Sequence, residues 1–449
     1  MTRTLRLLVN AGAIVTMDAS RRVLHNASIL VNGGTIERVL MPDERQRMGP
    51  FEGEVVDASR FTVIPGFVQT HLHLCQTLFR GVAEDMDLLD WLALRIYPLE
   101  AAHSPASMRA SAFAGIAELQ QSGTTTIMDM GSVRYEDEIV RAVEETGMRA
   151  FLGKALMDHN ETYPGLREST KDALSSSRQQ AEEWHGANGG RIRYAVAPRF
   201  LLSCSDELLR EVHAMAASFP GMLFHTHAAE SSRELDAVRS RCGMDNIEYL
   251  EHLHVLGSTT CLAHCVWLND REIELLARQK ASVLHCPSSN LKLASGIAPI
   301  PLMLKRGVKV SLGTDGAACN NSLDMFQEMR LASLIQRPLH GASAMPASTV
   351  LELATRGGAE ALGISSETGS IEAGKKADLT FLDLERFWHA SGGDIYAAIV
   401  YGCGADNVHS VMIDGSWVVR DRTHTRLDVE RVTEQARAER AELLQRVQW

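Results

Sequence analysis

Two histidines stand one residue apart in the stretch GFVQTHLHLCQTLFRG (residues 66–81), directly after the apolar run FTVIPGF. Residues i and i+2 of a β-strand point to the same face. A strand running on from Thr62 therefore projects His71 and His73 together from its C-terminal end. Two neutral imidazoles sharing one small volume make half of a metal site. An H-x-H pair also arises by chance in a chain with 17 histidines, so the reading depends on finding the missing ligands elsewhere.

Three further stretches carry candidates: HTHAAE has His225, His227 and Glu230, LAHC has His264, and VSLGTD ends in Asp315. Each closes an apolar, strand-like run. Taken singly, each histidine is better explained as a core residue held by a hydrogen bond. Gathered at separate strand ends they point to one centre. Three imidazoles and a carboxylate hold a divalent ion with a position open for water, and the ion lowers the pKa of that water toward neutrality. The chemistry is metal-assisted hydrolysis. Glu230, three residues beyond His227, is placed to move a proton onto a heterocycle under attack, while His264 and Asp315 can accept protons from the water. His225 shares the face of His227 and competes for the ligand role; the interval to Glu230 favours His227. His285, in VLHCP, reads as a supporting or loop contact, and Cys261 and Cys265 as packing thiols. The H-x-E and P-C-x-x-C signature of the zinc deaminases of nucleobases has no match.

These groups need a frame. The runs TTTIMDM (124–130), RAFLGKALM (149–157), RIRYAVAP (191–198), GMLFHTHAAE (221–230), TTCLAHCVW (259–267), ASVLHCP (281–287) and KVSLGTD (309–315) are each followed by a helical pattern. With the strand before His71 they make eight β-then-α units, which predict a closed (β/α)8 barrel with its active groups at the C-terminal strand ends. Residues 5–64 read as short strands with Gly and Asn at the joins, and ADLTFLDL and VHSVMIDGSWVVRD repeat that style near the other end. The two ends are expected to pair into one small β-sandwich domain. The expected divisions are 1–64 and 371–449 for that composite domain, the latter including a terminal helix, and 65–370 for the barrel.

The chain has 449 residues, 45% of them apolar and 22% charged, enough for a barrel and a smaller domain. Its 45 basic residues against 56 acidic ones give a net charge of −11. No basic stripe appears, so nucleic acid and anionic membranes are not expected partners. No apolar run reaches the ~18 residues of a membrane span. The first residues, MTRTLRLLVNAGAIVTMD, read as a strand because Asn10 and Gly12 break any signal-like apolar core. Eight scattered cysteines without a C-x-x-C pair suit reduced thiols in the cytoplasm.

Longer stretches carry a resemblance: PGFVQTHLHLCQTLFRG, DWLALRIYPLEA, SGTTTIMDM, HTHAAE, LAHCVWL, the segment from HCPSSNLKLASG to SLDMFQEMRLA, and GSIEAGKKADL. Over nearly its whole length the chain resembles the amidohydrolase superfamily, in the branch of aminohydrolases acting on purines, their nucleosides and triazines. The resemblance implies a (β/α)8 barrel with a composite β-domain. It implies His71, His73, His227 and Asp315 as metal ligands, and Glu230 and His264, with Asp315, as the catalytic proton-transfer groups. Relatives that bridge two metals carry a lysine on the fourth strand. AVAPRF has none, so one zinc per chain is expected, with Fe2+ or Mn2+ as alternatives; Lys154 sits on the preceding strand. SNLKLASG and DGAACNNSLDMF look most like deaminases of S-adenosylhomocysteine, 5′-methylthioadenosine and 5′-deoxyadenosine, which implies Trp91 against the base and Glu100 on the ribose hydroxyls. Arg199 and Phe200, with Gln76, instead match guanine deaminase, and Cys319 stands where the nucleoside group tends to have Ser. An arginine only donates, so Arg199 suits a ring carbonyl. The expectation is a metal-dependent hydrolytic deaminase of an amino-purine nucleoside, working as a homo-oligomer. Its alternatives are a guanine-type or pterin deaminase, an s-triazine deaminase or chlorohydrolase, and a barrel that only binds ligand.

Overall fold

A computed structural model describes residues 6–385 and 393–447. Eight parallel strands follow the runs expected from the sequence: β1 Phe67–Leu72, β2 Thr124–Met130, β3 Arg149–Gly153, β4 Ile192–Pro198, β5 Leu223–Ala228, β6 Thr260–His264, β7 Ser282–His285 and β8 Lys309–Leu312. Each is hydrogen-bonded to the next in chain order. The ring is drawn nearly closed where Thr70 Oγ1 donates to Leu312 O at 3.0 Å and Asp315 N donates to His71 O at 3.0 Å. Continuous apolar runs suit strands covered on both faces, and every residue of β1 and β2 is buried. Capped helices link the strands. Ser104 caps Pro105–Gln121 and receives Ser107 N, and Ser205 caps Asp206–Ser218 and receives Leu208 N.

The run FTVIPGF is divided between two sheets, which corrects the reading of one strand from Thr62. Glu54–Pro65 belongs to the terminal sheet and β1 begins at Phe67. The break falls on Gly66 because nothing larger fits: a Cβ there would lie 2.1 Å from Thr125 Cγ2. His71 is inside β1, whereas His73 stands just beyond it, at the start of the short helical turn Leu74–Phe79.

The terminal sheet joins both ends of the chain. Its strands run Thr423–His424, Ser416–Arg420, Val408–Ile413, Leu379–Asp383, Glu54–Pro65, Arg6–Val15, Ser28–Asn32 and Thr35–Leu40, with Val23–His25 also on Arg6–Val15. The join is antiparallel, Leu379 opposite Pro65 and Asp383 opposite Phe61. Arg6–Val15 bears out the strand expected there, and the five residues before it lie outside the described part. Sheet and barrel meet at a buried ion pair, Arg149 Nε to Asp378 Oδ2 at 2.9 Å, with Arg149 Nη2 also 2.6 Å from Asp414 Oδ1. The last helix, Val429–Arg446, lies on Pro105–Gln121, and Arg440 Nε donates to Leu78 O. Among the described residues no helix is long and apolar enough to cross a membrane.

Candidate metal centre and active site

The C-terminal strand ends bring His71, His73, His227, His264 and Asp315 to one point, as alternating side chains on parallel strands must when the strands close on an axis. The tautomers follow from what lies behind each ring. His73 Nδ1 is 2.6 Å from Met130 O, and His227 Nδ1 is 2.6 Å from Arg199 O. A carbonyl only accepts, so both rings carry their proton on Nδ1 and present a bare Nε2 lone pair. Those two Nε2 atoms lie 3.3 Å apart. Asp315 Oδ1 is 3.4 Å from Nε2 of both His71 and His73. Nε2 of His71 and of His264 is buried without a hydrogen-bond partner among the described residues.

Buried acceptors facing one another repel unless a cation lies between them. The potential ligand atoms of His71, His73 and Asp315 all lie within 4.8 Å of one another, and so do those of His71, His227 and His264. Burial pushes His71 below the ordinary imidazole range, His73 down to about 4 and His227 well below that range, which keeps these rings neutral. Burial alone would raise the Asp315 carboxyl, but a hydrogen bond from His71 and the positive charge that His71, His264 and His73 carry when protonated outweigh it and hold the group well below the usual carboxylate range. Neutral imidazoles and a carboxylate are the donor set of a divalent metal, and these residues fit one. His225 sits deeper in the barrel, its Nε2 2.8 Å from His71 Nδ1. Geometry thus separates it from His227: it supports a ring whose other nitrogen faces the centre.

Glu230 follows β5, its Oε2 3.4 Å from His264 Nε2 and its Oε1 accepting from Ser295 Oγ at 3.5 Å. Burial, then the charges of Asp315 and Glu234, push its carboxyl well above the usual range. It is held as an acid that can donate. His264 and Asp315 adopt left-handed backbone, with φ of 73° and 61°, a conformation that costs free energy and recurs where a site dictates side-chain direction.

Spacing in the sequence does not single out the groups behind these residues. Ser289 Oγ donates to Asp315 Oδ2 at 2.6 Å, and Asn290 Oδ1 lies 2.8 Å from His264 Nδ1. With Ser295 they come from one short stretch, SNLKLAS (289–295), at Pro287–Lys292 and just after it. Ser289, Asn290 and Ser295 are buried, while Leu291 and Ala294 between them are exposed. His285, expected to make a supporting or loop contact, is buried at the end of β7 with no hydrogen-bond partner on either ring nitrogen among the described residues.

Gln76, Trp91, Arg199 and Phe200 line a cavity of about 20 Å3 beside the centre, together with Leu88 and Leu92. Glu100 and Cys319 do not line it. Both Glu100 oxygens are engaged by the Arg199 guanidinium, at 2.7 and 3.0 Å, and Oε1 also accepts from Gln76 Nε2 at 3.1 Å. The ribose contact expected of Glu100 is corrected accordingly: the carboxylate is fully buried behind the wall and neutralises Arg199. Because Gln76 must turn its amino group to that carboxylate, its Oε1 is left a buried acceptor without a partner. Cys319 Sγ donates to Gly316 O. Lys154 is tied to both oxygens of Glu168 at 2.7 Å, away from the centre.

Residues 62–418 match the Amidohydrolase family. A 5′-deoxyadenosine deaminase of Methanothermobacter thermautotrophicus is 41% identical over 94% of this chain and 100% of its own length. A 5-methylthioadenosine/S-adenosylhomocysteine deaminase of Syntrophomonas wolfei is 35% identical over 96% and 98%. The crystal structure of an adenosine deaminase from Xanthomonas campestris with bound zinc superposes with a TM-score of 0.92 at 30% identity, covering 98% of this chain and 99% of that one.

Proposed function

The chain belongs to the amidohydrolase family, and we propose that it is a hydrolytic deaminase of adenosine-type nucleosides, releasing ammonia from the amino-bearing carbon of the purine. The observation that carries this reading is the convergence of bare imidazole nitrogens and Asp315 beside the buried Glu230, whose carboxyl burial pushes up. His71, His73, His227 and Asp315 would hold the metal, one zinc per chain, and the ion when bound would supply the Lewis acidity that hydrolysis near neutral pH needs.

The side chains do the rest. His264, with Asn290 behind its Nδ1, keeps Nε2 free to take a proton from the attacking water, and Asp315 Oδ2 stands 3.9 Å from that nitrogen. Glu230 gives its proton to the ring nitrogen next to the carbon under attack, so the new C–O bond forms without leaving charge on the ring. The collected protons then go to the amino group, the C–N bond breaks, ammonia leaves and a ring carbonyl remains. Trp91 and Phe200 face the purine from the cavity wall. The glutamate–arginine pair orients Arg199, whose remaining N–H groups, with Gln76 Oε1, offer a donor and an acceptor to the ring edge.

That donor and acceptor support a second reading, a carbonyl-bearing base of the guanine or pterin type. A screen for ammonia release decides, covering 5′-deoxyadenosine, methylthioadenosine, adenosylhomocysteine, adenosine, guanine, 8-oxoguanine, isoxanthopterin and melamine. Release fastest from the nucleosides supports the first reading. Release from guanine or isoxanthopterin alone overturns it in favour of the second.

A further inference from the structure

Whichever ring this site takes, part of its wall must move to admit it. The cavity beside the metal centre measures about 20 Å3, room for about one water molecule. Most of its lining is fixed from behind. Arg199 is clamped by both oxygens of Glu100, and its carbonyl oxygen accepts from His227 Nδ1. Gln76 donates to the same carboxylate, and Phe200 is bridged to the backbone of His227. Leu88, Trp91 and Leu92 have no such anchor among the described residues. They lie on the single turn Leu88–Trp91 and the π-helical turn Leu92–Ile96, a helical form that is rare and recurs at functional sites. The chain enters this segment through Asp85, whose backbone is left-handed with φ of 59°. Trp91 Nε1 is buried without a hydrogen-bond partner among the described residues, so no polar contact of the indole holds the segment down.

What ties it across the mouth is charge at the surface. Arg233 Nη1 lies 2.6 Å from both carboxylate oxygens of Asp87 and 3.1 Å from Asp90 Oδ2. All three side chains are about half exposed. Arg233 stands three residues beyond Glu230, at the head of the helix Ser232–Cys242. Just before the segment, Glu84 Oε2 lies 2.8 Å from Lys292 Nζ, on the helix Pro287–Lys292 that supplies Ser289 and Asn290. Both ties therefore run from this segment to elements that carry Glu230 or the supports of Asp315 and His264. We propose that residues 84–92 form a lid over the metal centre, latched shut by Arg233 on Asp87 and Asp90, which opens to admit substrate and release product. Exposed ion pairs are weak and screened by salt, which suits a contact broken in every turnover. Closure brings Trp91 against the ring and completes the wall, the usual work of such segments. The latch rests on the proposed function only in that the substrate is larger than the closed cavity.

Hydrogen–deuterium exchange of the metal-loaded enzyme reads the latch without any substrate, in peptides covering residues 84–96. Arg233→Gln is expected to speed exchange there by about threefold, the scale of an exposed charge pair, with metal content and exchange elsewhere unchanged. Arg233→Lys keeps the charge and should stay near wild type. Wild type in about 1 M salt should move toward the glutamine variant. Unchanged exchange in Arg233→Gln, or exchange speeded over the whole chain, overturns the latch. A second arm asks whether turnover needs the opening. Asp90→Cys and Arg233→Cys are combined and joined by a short bismaleimide with a reducible centre, the single-cysteine variants being treated alike as controls. The joined enzyme is expected to keep its metal, to lose most turnover of the compound that wild type deaminates fastest, and to regain it on reduction. Full turnover while joined overturns the lid. The expected exchange pattern in an enzyme that deaminates only a free base overturns the nucleoside reading and leaves the latch standing.

Discussion

At the scale of single residues, everything turns on which groups face the metal and which move protons. Glu230 is buried with its carboxyl raised, which suits the proton-donating role proposed for it. Glu230→Gln keeps the volume but cannot recycle a proton. It is expected to hold metal like wild type, by elemental analysis, and to lose roughly 10²–10⁴ in kcat; a near-normal kcat would remove Glu230 from the mechanism. Asp315→Ala removes the carboxylate between His71 and His73 and should lose the metal itself, seen as sub-stoichiometric zinc after dialysis. That these residues converge was legible in the sequence because H-x-H, HTHAAE, LAHC and GTD each close an apolar strand-like run, and a barrel aims its C-terminal strand ends at one point. Glu100 was misplaced because residue type cannot say what meets it from 99 positions away, and here an arginine does. The supports Ser289 and Asn290 show no periodicity, since a short helix at a strand end presents them by its tertiary position alone.

Elements position those residues, and the places where they start and stop decide the site. The eight barrel strands were legible as apolar runs because a parallel sheet buries both faces. The boundary at Gly66 was not, because an apolar run reads the same whether it stays in one sheet or crosses to another. That crossing gives a sharp prediction. Gly66→Ala drives a methyl group into Thr125, and overpacking of this kind costs about 1–3 kcal/mol, measurable as a lower urea midpoint with unchanged slope. Thr125→Ala in the same chain should recover part of the loss, since the closest atoms at 2.1 and 2.3 Å belong to the threonine side chain beyond Cβ. No recovery would mean that the strain at this crossing is not local to that contact.

For the whole molecule, the terminal sheet and the barrel are locked by Arg149 against Asp378 and Asp414, with Arg149 and Asp378 almost fully buried. Removing one partner of a buried pair strands the other charge, so Arg149→Ala is expected to cost about 3–5 kcal/mol in chemical denaturation; a loss under 1 kcal/mol would show that water reaches Asp378 freely. That both chain ends build one sheet was legible from the matching strand style at either end, while the ion pair that fastens the sheet was not, its members being 229 residues apart. The chain, so assembled, is proposed to do one thing: hydrolyse the amino group of a purine nucleoside with a single bound metal. The most direct measurement is ammonia released per 5′-deoxyadenosine consumed, followed while metal is titrated into enzyme stripped by chelator. The expected result is one ammonia per nucleoside, with the rate rising linearly and levelling at about one zinc per chain. Full loading with no ammonia from the nucleoside, or a rate that levels only at about two metals per chain, would contradict the account.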